Sequence, residues 1–407
     1  MNCRHCKTEL SNVFIDLVNQ PPSNSFLSVG QLDEPEVYFP LKTYVCPECF
    51  LVQLEEYKKS QDIFSDEYVY YSSFSSSWVA HARAYVDMAE KRFSLNSDSL
   101  VVEIASNDGY LLQNCVERGI PCLGIEPTGG TADAAEEKGV PTLRDFFGTD
   151  LARKLVEEGK QADLLLGNNV LAHVPDVNGF VEGLKIALKE NGTITMEFPH
   201  LVNLIEKNQF DTIYHEHFSY LSLTTVQTIF AAHGLTIFDV EQQPTHGGSL
   251  RIFARHDNST HHVSQAVTDL LALEDEKGLK DLKYYEGFQE KADRVKSELL
   301  AFLIEQKRAG KKTAAYGAAA KGNTLLNYCG VKNDLISFCV DASPHKQGLF
   351  MPGSHIPVLA PKSMKEQRPD FILILPWNIK DEITKQHAYV EEWGGRFVTA
   401  IPELIIV

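Results

Sequence analysis

Residues 100–112 read Leu-Val-Val-Glu-Ile-Ala-Ser-Asn-Asp-Gly-Tyr-Leu-Leu, and this stretch decides the fold. An apolar run ends near Glu103, a short polar turn follows, and a second apolar run begins a helix. A carboxylate at a strand end, a tight turn and a helix start form the usual cradle for an adenosine cofactor. Glu126 ends the next apolar run, where its carboxylate can accept hydrogen bonds from both ribose hydroxyls.

Apolar runs elsewhere repeat the same pattern. They predict strands at 121–126, 163–167 and 192–198, and a second series at 312–317, 336–340 and 371–375. Strands that alternate with helices form parallel sheets with crossover helices. Between 265 and 309 the pattern is helical, and one face carries Phe288, Ala292, Val295, Leu299 and Phe302. The chain is therefore an α/β protein with two nucleotide-binding-type folds in tandem.

The turn after Glu103 departs from the usual pattern of three glycines. Ala105 and Asn107 replace two of them, and Gly109 remains. Dinucleotide binding is disfavoured, because a pyrophosphate needs glycines to approach the backbone closely. The residues expected to hold an adenosine cofactor are Glu103, Ala105, Asn107, Asp108, Gly109, Glu126 and Asn168.

Polar residues also follow the strand at 163–167. Asn168 and Asn169 come directly after it, and His173 follows in the same loop, at the carboxyl edge of the sheet where substrates bind. The alternative for His173 is an ordinary packed histidine.

Residues 210–220 read Phe-Asp-Thr-Ile-Tyr-His-Glu-His-Phe-Ser-Tyr and concentrate acid–base groups. His215, Glu216 and His217 lie between the phenols Tyr214 and Tyr220. Carbanion chemistry beside a ketone needs such a set, because a base must remove a weakly acidic C–H proton and donors must hold the enolate. The alternatives are a metal site or a surface histidine cluster. The segment lacks the His-Glu-x-x-His spacing that places two ligands on one helical face.

Two Cys-x-x-Cys pairs, Cys3–Cys6 and Cys46–Cys49, predict a structural metal site. Four thiolates from two tight turns form a closed tetrahedral zinc site with no open position for catalysis. His5 is a less favoured ligand. Disulfides would require an oxidising compartment, and the polar start of the chain does not resemble a secretory signal.

Residues 317–322, Gly-Ala-Ala-Ala-Lys-Gly, resemble a second nucleotide loop. Small residues stand where a phosphate would approach the backbone, and Lys321 supplies positive charge. A helix is predicted to start just after the loop, from Asn323, and Asp341 ends the following strand. The alternative is that the small residues only pack against a helix.

Composition narrows the function further. A net charge of −17 argues against a nucleic-acid partner, since phosphate binding depends on Lys and Arg. No apolar run reaches the length of a transmembrane helix. These features predict a cytoplasmic enzyme with two or three domains and no membrane partner.

Four motifs in this order resemble the sugar-nucleotide C-methyltransferases. They are the paired Cys-x-x-Cys turns and the segments at 103–112 (Glu-Ile-Ala-Ser-Asn-Asp-Gly-Tyr-Leu-Leu), 214–220 (Tyr-His-Glu-His-Phe-Ser-Tyr) and 316–323 (Tyr-Gly-Ala-Ala-Ala-Lys-Gly-Asn). The resemblance covers essentially the whole chain. It implies a zinc-binding domain at 1–75 and a Rossmann-like class I methyltransferase domain at 76–260 that binds S-adenosylmethionine. A helical connection at 261–310 and a C-terminal Rossmann-like domain at 311–407, which binds the substrate nucleotide, follow.

The resemblance also implies roles for individual residues. The substrate is an NDP-4-keto-6-deoxyhexose, on which the enzyme acts at C3; separately from the resemblance, we expect the enzyme to be a monomer. His217 is the general base, Glu216 orients or tunes it, Tyr214 positions substrate, and His173 handles the enolate or the later proton at C3. A further catalytic tyrosine is Tyr68 or Tyr70. The expected substrate-binding residues are Asn169, His215, Gly317, Lys321, Gly322, Asn323 and Asp341.

Three other functions fit parts of this pattern. An O-methyltransferase on the same sugars would need no proton removal at C3. An oxidoreductase acting on a sugar nucleotide would bind NAD at the Gly317 loop. A non-catalytic zinc adaptor would leave the acid–base segment without a role.

Overall fold

The computed structural model describes residues 1–57, 59, 71–258 and 262–407. Tyr68 and Tyr70 lie outside the described residues. The chain divides into two compact units, each built from segments that are discontinuous in sequence. The first unit comprises Met1–Asn12, Val45–Leu201 and Phe218–Tyr284, and the second comprises Val13–Tyr44, Val202–His217 and Tyr285–Val407.

The described elements are numbered in chain order. The strands are β1 (Asn12–Gln20), β2 (Phe39–Val45), β3 (Val52–Leu54), β4 (Val101–Ile104), β5 (Cys122–Ile125), β6 (Thr142–Leu143), β7 (Ala162–Asn168), β8 (Leu188–Pro199), β9 (Ser219–Tyr220), β10 (Leu235–Gln243), β11 (Ser249–His256), β12 (Thr313–Tyr316), β13 (Cys339–Val340), β14 (Val358–Leu359), β15 (Phe371–Ile374), β16 (Arg396–Thr399) and β17 (Ile405–Ile406). The α-helices are α1 (Ser76–Phe93), α2 (Gln113–Glu117), α3 (Gly129–Glu137), α4 (Thr149–Glu157), α5 (Val177–Ala187), α6 (Leu201–Glu206), α7 (Leu223–Ala232), α8 (Gln265–Glu276), α9 (Phe288–Arg308), α10 (Ala320–Cys329), α11 (Ser363–Gln367) and α12 (Lys380–Gln386).

The first unit is built on a seven-stranded sheet in the order β10-β11-β8-β7-β4-β5-β6. Strands β8, β7, β4, β5 and β6 run parallel, and β11 pairs antiparallel with both β8 and β10. From β4 the chain builds the sheet toward β6 first and then restarts at β7 on the other side. Ligands of open α/β sheets bind where the strand order reverses in this way, at the carboxyl ends of the strands.

Helix α1 buries one face against this sheet. Ser75 caps its first turn by accepting a hydrogen bond from the Trp78 backbone N–H, and the left-handed Ser94 ends it. Buried residues recur at helical spacing along the helix and pack with Val101 and Leu164 of the sheet. They are Trp78, Ala82, Tyr85, Val86 and Ala89.

The second unit contains a six-stranded sheet in the order β14-β13-β12-β15-β16-β17, parallel except for β17. Its strand order reverses between β12 and β15. Helix α9 buries the predicted face of Phe288, Ala292, Val295, Leu299 and Phe302. Phe14 of β1 stacks on Phe288 with ring centroids 4.7 Å apart. The predicted α/β class is confirmed, with two sheets that are parallel except at one edge of each.

Candidate active site

The cofactor cradle lies at the strand-order reversal of the first unit. Glu103 is on β4, Glu126 follows β5, and Asn168 ends β7. These three strands are adjacent in the sheet, so their carboxyl ends share one edge. The sequence-predicted cofactor residues of the first unit thus lie along this one edge of the sheet.

That turn keeps the backbone shape of a glycine loop without the glycines. Ala105, Asn107 and Gly109 all adopt left-handed conformations, with φ of 56°, 49° and 72°. A left-handed alanine costs roughly 1–2 kcal/mol, whereas asparagine tolerates this region well. A Cβ on Gly109 would lie 3.1 Å from the Ala135 side chain, so glycine remains where α3 packs closely. Helix α2 begins only at Gln113, later than the sequence pattern predicts.

Glu126 stabilises this turn and still has hydrogen-bond acceptor positions for a ligand. One carboxylate oxygen accepts the Asn107 backbone N–H at 2.9 Å, and the other accepts the Thr128 backbone N–H at 3.0 Å and its hydroxyl. A carboxylate has about four acceptor positions, so room remains for ribose hydroxyls. Removing Glu126 would therefore disturb the turn even before any ligand is considered.

Glu103 is completely buried. Burial raises the pKa of its carboxyl well above the usual value, and the Tyr110 hydroxyl opposes that rise. Neither carboxylate oxygen makes a well-formed hydrogen bond among the described residues. A buried carboxylate of this kind needs a donor or a cation, which the amino group of S-adenosylmethionine would supply. The residues of the cradle therefore fit this cofactor.

The side chains of Asn107 and Asp108 anchor the segment that precedes α1. Asn107 Oδ1 accepts the Ser72 backbone N–H at 2.8 Å, and Asp108 Oδ2 accepts that of Ser73 at 3.3 Å. Lys138 pairs with Asp108 at 3.2 Å. The described chain resumes at Tyr71, directly after the two candidate tyrosines.

The rings of Trp78, Tyr110 and His246 form an aromatic wall beside the cofactor cradle. Trp78 stacks on Tyr110 with ring centroids 5.9 Å apart and meets His246 edge-on at 5.0 Å. Asn168 donates to the Tyr110 hydroxyl at 3.3 Å, and Asn169, with φ of 56°, lies 3.0 Å from His246 Nε2. These contacts connect both predicted asparagines to the wall. His173 is half-buried in the short turn that follows.

The sequence analysis missed a buried charge network behind this wall. Glu197 on β8 accepts hydrogen bonds from His81 at 2.9 Å, Arg251 at 2.7 Å and Thr245 at 2.8 Å. Burial opposes its ionisation, but these partners lower the pKa of its carboxyl to about 2. An acidic residue near a predicted strand end was the available signal, as for Glu103. His81 and Arg251 are too distant in sequence to have been predicted as its partners.

The acid–base segment belongs to the second unit. His217 Nδ1 lies 2.9 Å from the Thr212 carbonyl oxygen, and Nε2 lies 2.8 Å from the Tyr214 hydroxyl. Because a carbonyl only accepts, the ring proton is on Nδ1 and Nε2 carries the lone pair. This tautomer, which follows from the hydrogen bond to Thr212, is the one that a general base acting through Nε2 requires. The Tyr214 and His217 rings also lie against each other, with centroids 4.0 Å apart.

The two residues between them have other contacts. His215 is buried and donates from Nε2 to the Pro40 carbonyl at 3.2 Å, with Phe39 against its ring. Glu216 is also buried, and both carboxylate oxygens accept from the Asn24 amide. The His217 ring is therefore oriented by its own hydrogen bond from Nδ1 to the Thr212 carbonyl.

Lys321 and Gly322 lie inside α10, which begins at Ala320 and not, as predicted, after the small-residue loop. Ala and Lys both favour a helix, and the chain takes helical geometry as soon as Ala319 provides an extended cap. Lys321 Nζ donates to Asn378 at 2.8 Å and lies 4.7 Å from the centre of the Trp377 ring. Burial lowers the pKa of Lys321, and the Asp211 carboxylate opposes this effect.

The remaining residues of this loop make internal contacts. Asp341 accepts the Ala318 backbone N–H at 2.8 Å, and Asn323 donates to the Ser23 carbonyl at 2.6 Å. A Cβ on Gly317 would lie 2.6 Å from Pro376. Close packing thus accounts for this glycine without any ligand.

The four predicted metal ligands converge in the first unit. Their sulfur atoms all lie within 4.8 Å of one another, and Cys3–Cys49 and Cys6–Cys46 are each 3.5 Å apart. All four are free thiols. A tetrahedral Zn²⁺ with Zn–S bonds of about 2.3 Å needs sulfurs at about this spacing. The donor set fits zinc.

Comparison with known proteins agrees with this arrangement. A zinc binding domain model matches residues 3–64, a methyltransferase domain model matches 79–240, and a C-methyltransferase C-terminal domain model matches 244–402. The C-methyltransferase NovU of Streptomyces niveus is 36% identical over 368 residues, which cover 90% of this chain and 87% of NovU. The chain belongs to the C-methyltransferase family. The enzyme is an S-adenosylmethionine-dependent C-methyltransferase with a zinc-binding domain.

Solved structures resemble part of this C-methyltransferase. An S-adenosylmethionine-dependent methyltransferase from Mesorhizobium loti is 13% identical, and the match covers 44% of this chain and 100% of that one with a TM-score of 0.35. One from Anabaena variabilis is 12% identical over 42% of this chain and 83% of that one, with a TM-score of 0.34. Among the helices that the structure describes, none combines the length and the hydropathy of a membrane-spanning segment.

Proposed function

We propose that the enzyme methylates C3 of an NDP-4-keto-6-deoxyhexose through an enolate. The observation that supports this most directly is the His217 tautomer. Its Nδ1 donates to the Thr212 carbonyl, so Nε2 can accept a proton from substrate. O-methylation of a sugar hydroxyl would not use an enolate, whereas carbon methylation requires a carbanion.

In the proposed reaction, His217 Nε2 takes the C3 proton. The electron pair of the broken C–H bond is delocalised onto the C4 carbonyl oxygen, which makes this proton acidic. The Tyr214 hydroxyl lies 2.8 Å from Nε2 and must give up that contact when substrate enters. When bound, S-adenosylmethionine supplies the methyl group that C3 accepts, and its C–S bond breaks. His173 stabilises the enolate or handles the later proton at C3.

The proposal also assigns residues to substrate binding. Lys321 supplies a cation for the substrate diphosphate, which suits its place near the carboxyl edge of β12 and β15. Gly317, Gly322, Asn323 and Asp341 shape the same loop. Asn169 and His215 complete the proposed set, and one of Tyr68 and Tyr70 adds a phenol.

Hydrogen exchange at C3 tests the proposed chemistry. Purified enzyme is incubated in deuterated water with a panel of NDP-4-keto-6-deoxyhexoses and S-adenosylhomocysteine in place of the reactive cofactor. We expect deuterium at C3 of the true substrate, and with S-adenosylmethionine a product that NMR shows to carry a C-methyl group.

The variant His217→Ala should lose both exchange and methyl transfer, by about 10²–10⁴-fold. Binding of S-adenosylmethionine, measured by calorimetry, serves as the folding control. A methoxy signal in the product, or near-normal turnover by His217→Ala, would contradict the proposed mechanism.

A further inference from the structure

The Asn24 side chain has its orientation fixed by Glu216. Its amide nitrogen lies 2.7 and 3.0 Å from the two carboxylate oxygens. A carboxylate only accepts, so the NH₂ group must face Glu216 and the side-chain carbonyl oxygen must point away from it. Among the described residues, no donor contacts that oxygen. A fixed acceptor therefore lies on the side chain that contacts Glu216, the residue next to the proposed base, His217.

The loop that carries Asn24 is held on both sides. Ser23, which is buried, accepts a hydrogen bond from Asn323 of α10 through its backbone carbonyl at 2.6 Å. Leu27 and Phe350 exchange backbone hydrogen bonds of 3.0 and 2.8 Å. Two prolines precede Ser23 and restrict the backbone further. The acceptor is thus positioned before any ligand arrives, which lowers the entropic cost of binding.

Helix α10 also fixes the other half of the pair. Thr324, adjacent to Asn323, donates its hydroxyl to the Ile213 carbonyl at 2.9 Å. Ile213 directly precedes the Tyr214–His217 segment. One helical turn therefore aligns half-buried Asn24 with buried Glu216, whose carboxylate needs a donor at that position.

We infer that Asn24 determines substrate specificity by accepting a hydrogen bond from a hydroxyl of the sugar, and that Glu216 is the positioning residue for Asn24. A sugar hydroxyl is the donor, because His217 follows Glu216 directly and the proposed reaction brings the sugar ring to His217. The inference rests on the proposed function. It assigns Glu216 to substrate recognition and leaves the orientation of the base to Thr212.

A double-mutant cycle tests this inference. The variants are Asn24→Ala, Glu216→Gln and the double variant, and kcat/KM for the sugar nucleotide is measured. Each single change should lower kcat/KM about three- to tenfold, the usual effect of one neutral hydrogen bond. The double variant should be no worse than the more damaged single variant, because both act through one contact. Asn24→Asp should be worse than Asn24→Ala, since two carboxylates would then face each other.

Substrate analogues that lack one ring hydroxyl at a time give the second readout. Wild type should discriminate against one of them, and Asn24→Ala should not. Asn24→Ser is the reserve variant if alanine prevents folding, which S-adenosylmethionine calorimetry detects. Multiplicative losses in the cycle, or unchanged discrimination by the Asn24 variants, would overturn the inference. Failure of wild type to methylate any 4-keto sugar nucleotide would instead refute the proposed function.

Discussion

Asp211 illustrates how burial controls single charged residues in this enzyme. Its side chain is fully buried, and one carboxylate oxygen accepts the Trp377 indole N–H at 2.7 Å. The other oxygen has no hydrogen bond among the described residues. Burial raises the pKa of Asp211 from 3.8 to about 6, although Lys321 and Trp377 oppose the rise. Keeping this carboxyl ionised at neutral pH therefore costs folding free energy.

The substitution Asp211→Asn should stabilise the protein in a pH-dependent way. The folded-state pKa lies above the unfolded value, so the wild type loses stability as pH rises from about 4 to 6. The difference between the two pKa values corresponds to roughly 3 kcal/mol. We expect the variant and wild type to be equally stable near pH 4 and the variant to gain steadily up to pH 7. Urea unfolding of both proteins across this pH range measures the difference in stability. If the two stability curves ran parallel over this range, the prediction would be wrong.

Residues that belong to a local sequence motif were predictable from the sequence. Hydrogen-bond partners that are far apart in the chain were not. The four cysteines and the carboxylates at two strand ends each carry a recognisable spacing. Asn24 carries none, because its partner Glu216 is 192 residues away. The Thr212 carbonyl that orients His217 was also unpredictable, since backbone groups leave no mark in the sequence.

At the scale of elements, the end of β8 depends on a buried ion pair. Arg251 of β11 is 5% exposed and contacts Glu197 at 2.7 Å and Glu241 at 3.2 Å. Its guanidinium also lies over the Tyr85 ring of α1 at 4.7 Å. Removing one partner of a buried pair leaves the other charge without compensation.

Glu197→Gln should therefore destabilise the enzyme by about 3–5 kcal/mol at neutral pH. The amide keeps the shape of the side chain but not its charge, so Arg251 remains buried and undercompensated. Denaturant unfolding measures the change. The matched control is Glu157→Gln, an exposed position at the end of α4 that should change stability little. A loss below 1 kcal/mol would contradict this account of β8.

The turn between β12 and α10 is determined by packing. Gly317 has φ of 83°, and any Cβ there would lie 2.6 Å from Pro376. Gly317→Ala should lower the thermal unfolding midpoint by several degrees, because strain and overlap add. Ala318→Gly, one residue later, is the control for flexibility alone. If Gly317→Ala left stability unchanged but weakened sugar-nucleotide binding, the glycine would serve the ligand and not the fold.

The strand patterns predicted both sheets, but the start of α10 was misplaced. Glycine at position 322 suggested a loop, and yet Gly322 packs within the helix, where a Cβ would lie 2.7 Å from Leu375. Tertiary packing overrides local propensity at such positions. The same limit applies to the turn after β4, where Ala105 takes a conformation that its type disfavours.

At the scale of the whole molecule, the metal site and the methyltransferase sheet of the first unit are joined by direct contacts. Arg4, inside the first Cys-x-x-Cys turn, donates to the Pro175 carbonyl at 2.8 Å. His5 in the same turn lies 2.8 Å from Asn178, whose amide donates back to the His5 carbonyl at 2.9 Å. His5 is therefore engaged in this contact. The metal site thus supports the loop that follows His173.

Loss of zinc should consequently lower the folding stability of the enzyme more than it changes the chemistry of the molecules that fold. We expect one zinc per chain, held by Cys3, Cys6, Cys46 and Cys49. Cys46→Ser should remove the metal, lower the thermal unfolding midpoint and reduce the yield of folded enzyme, since metal binding contributes folding free energy directly. Metal analysis, thermal unfolding with and without a chelator, and turnover per folded molecule are the measurements. The control Cys122→Ala, a buried cysteine outside the cluster, should keep its zinc. Because the ligand set is closed, the folded fraction of Cys46→Ser should retain most of its turnover. Zinc-free wild type with an unchanged unfolding midpoint would contradict a structural role.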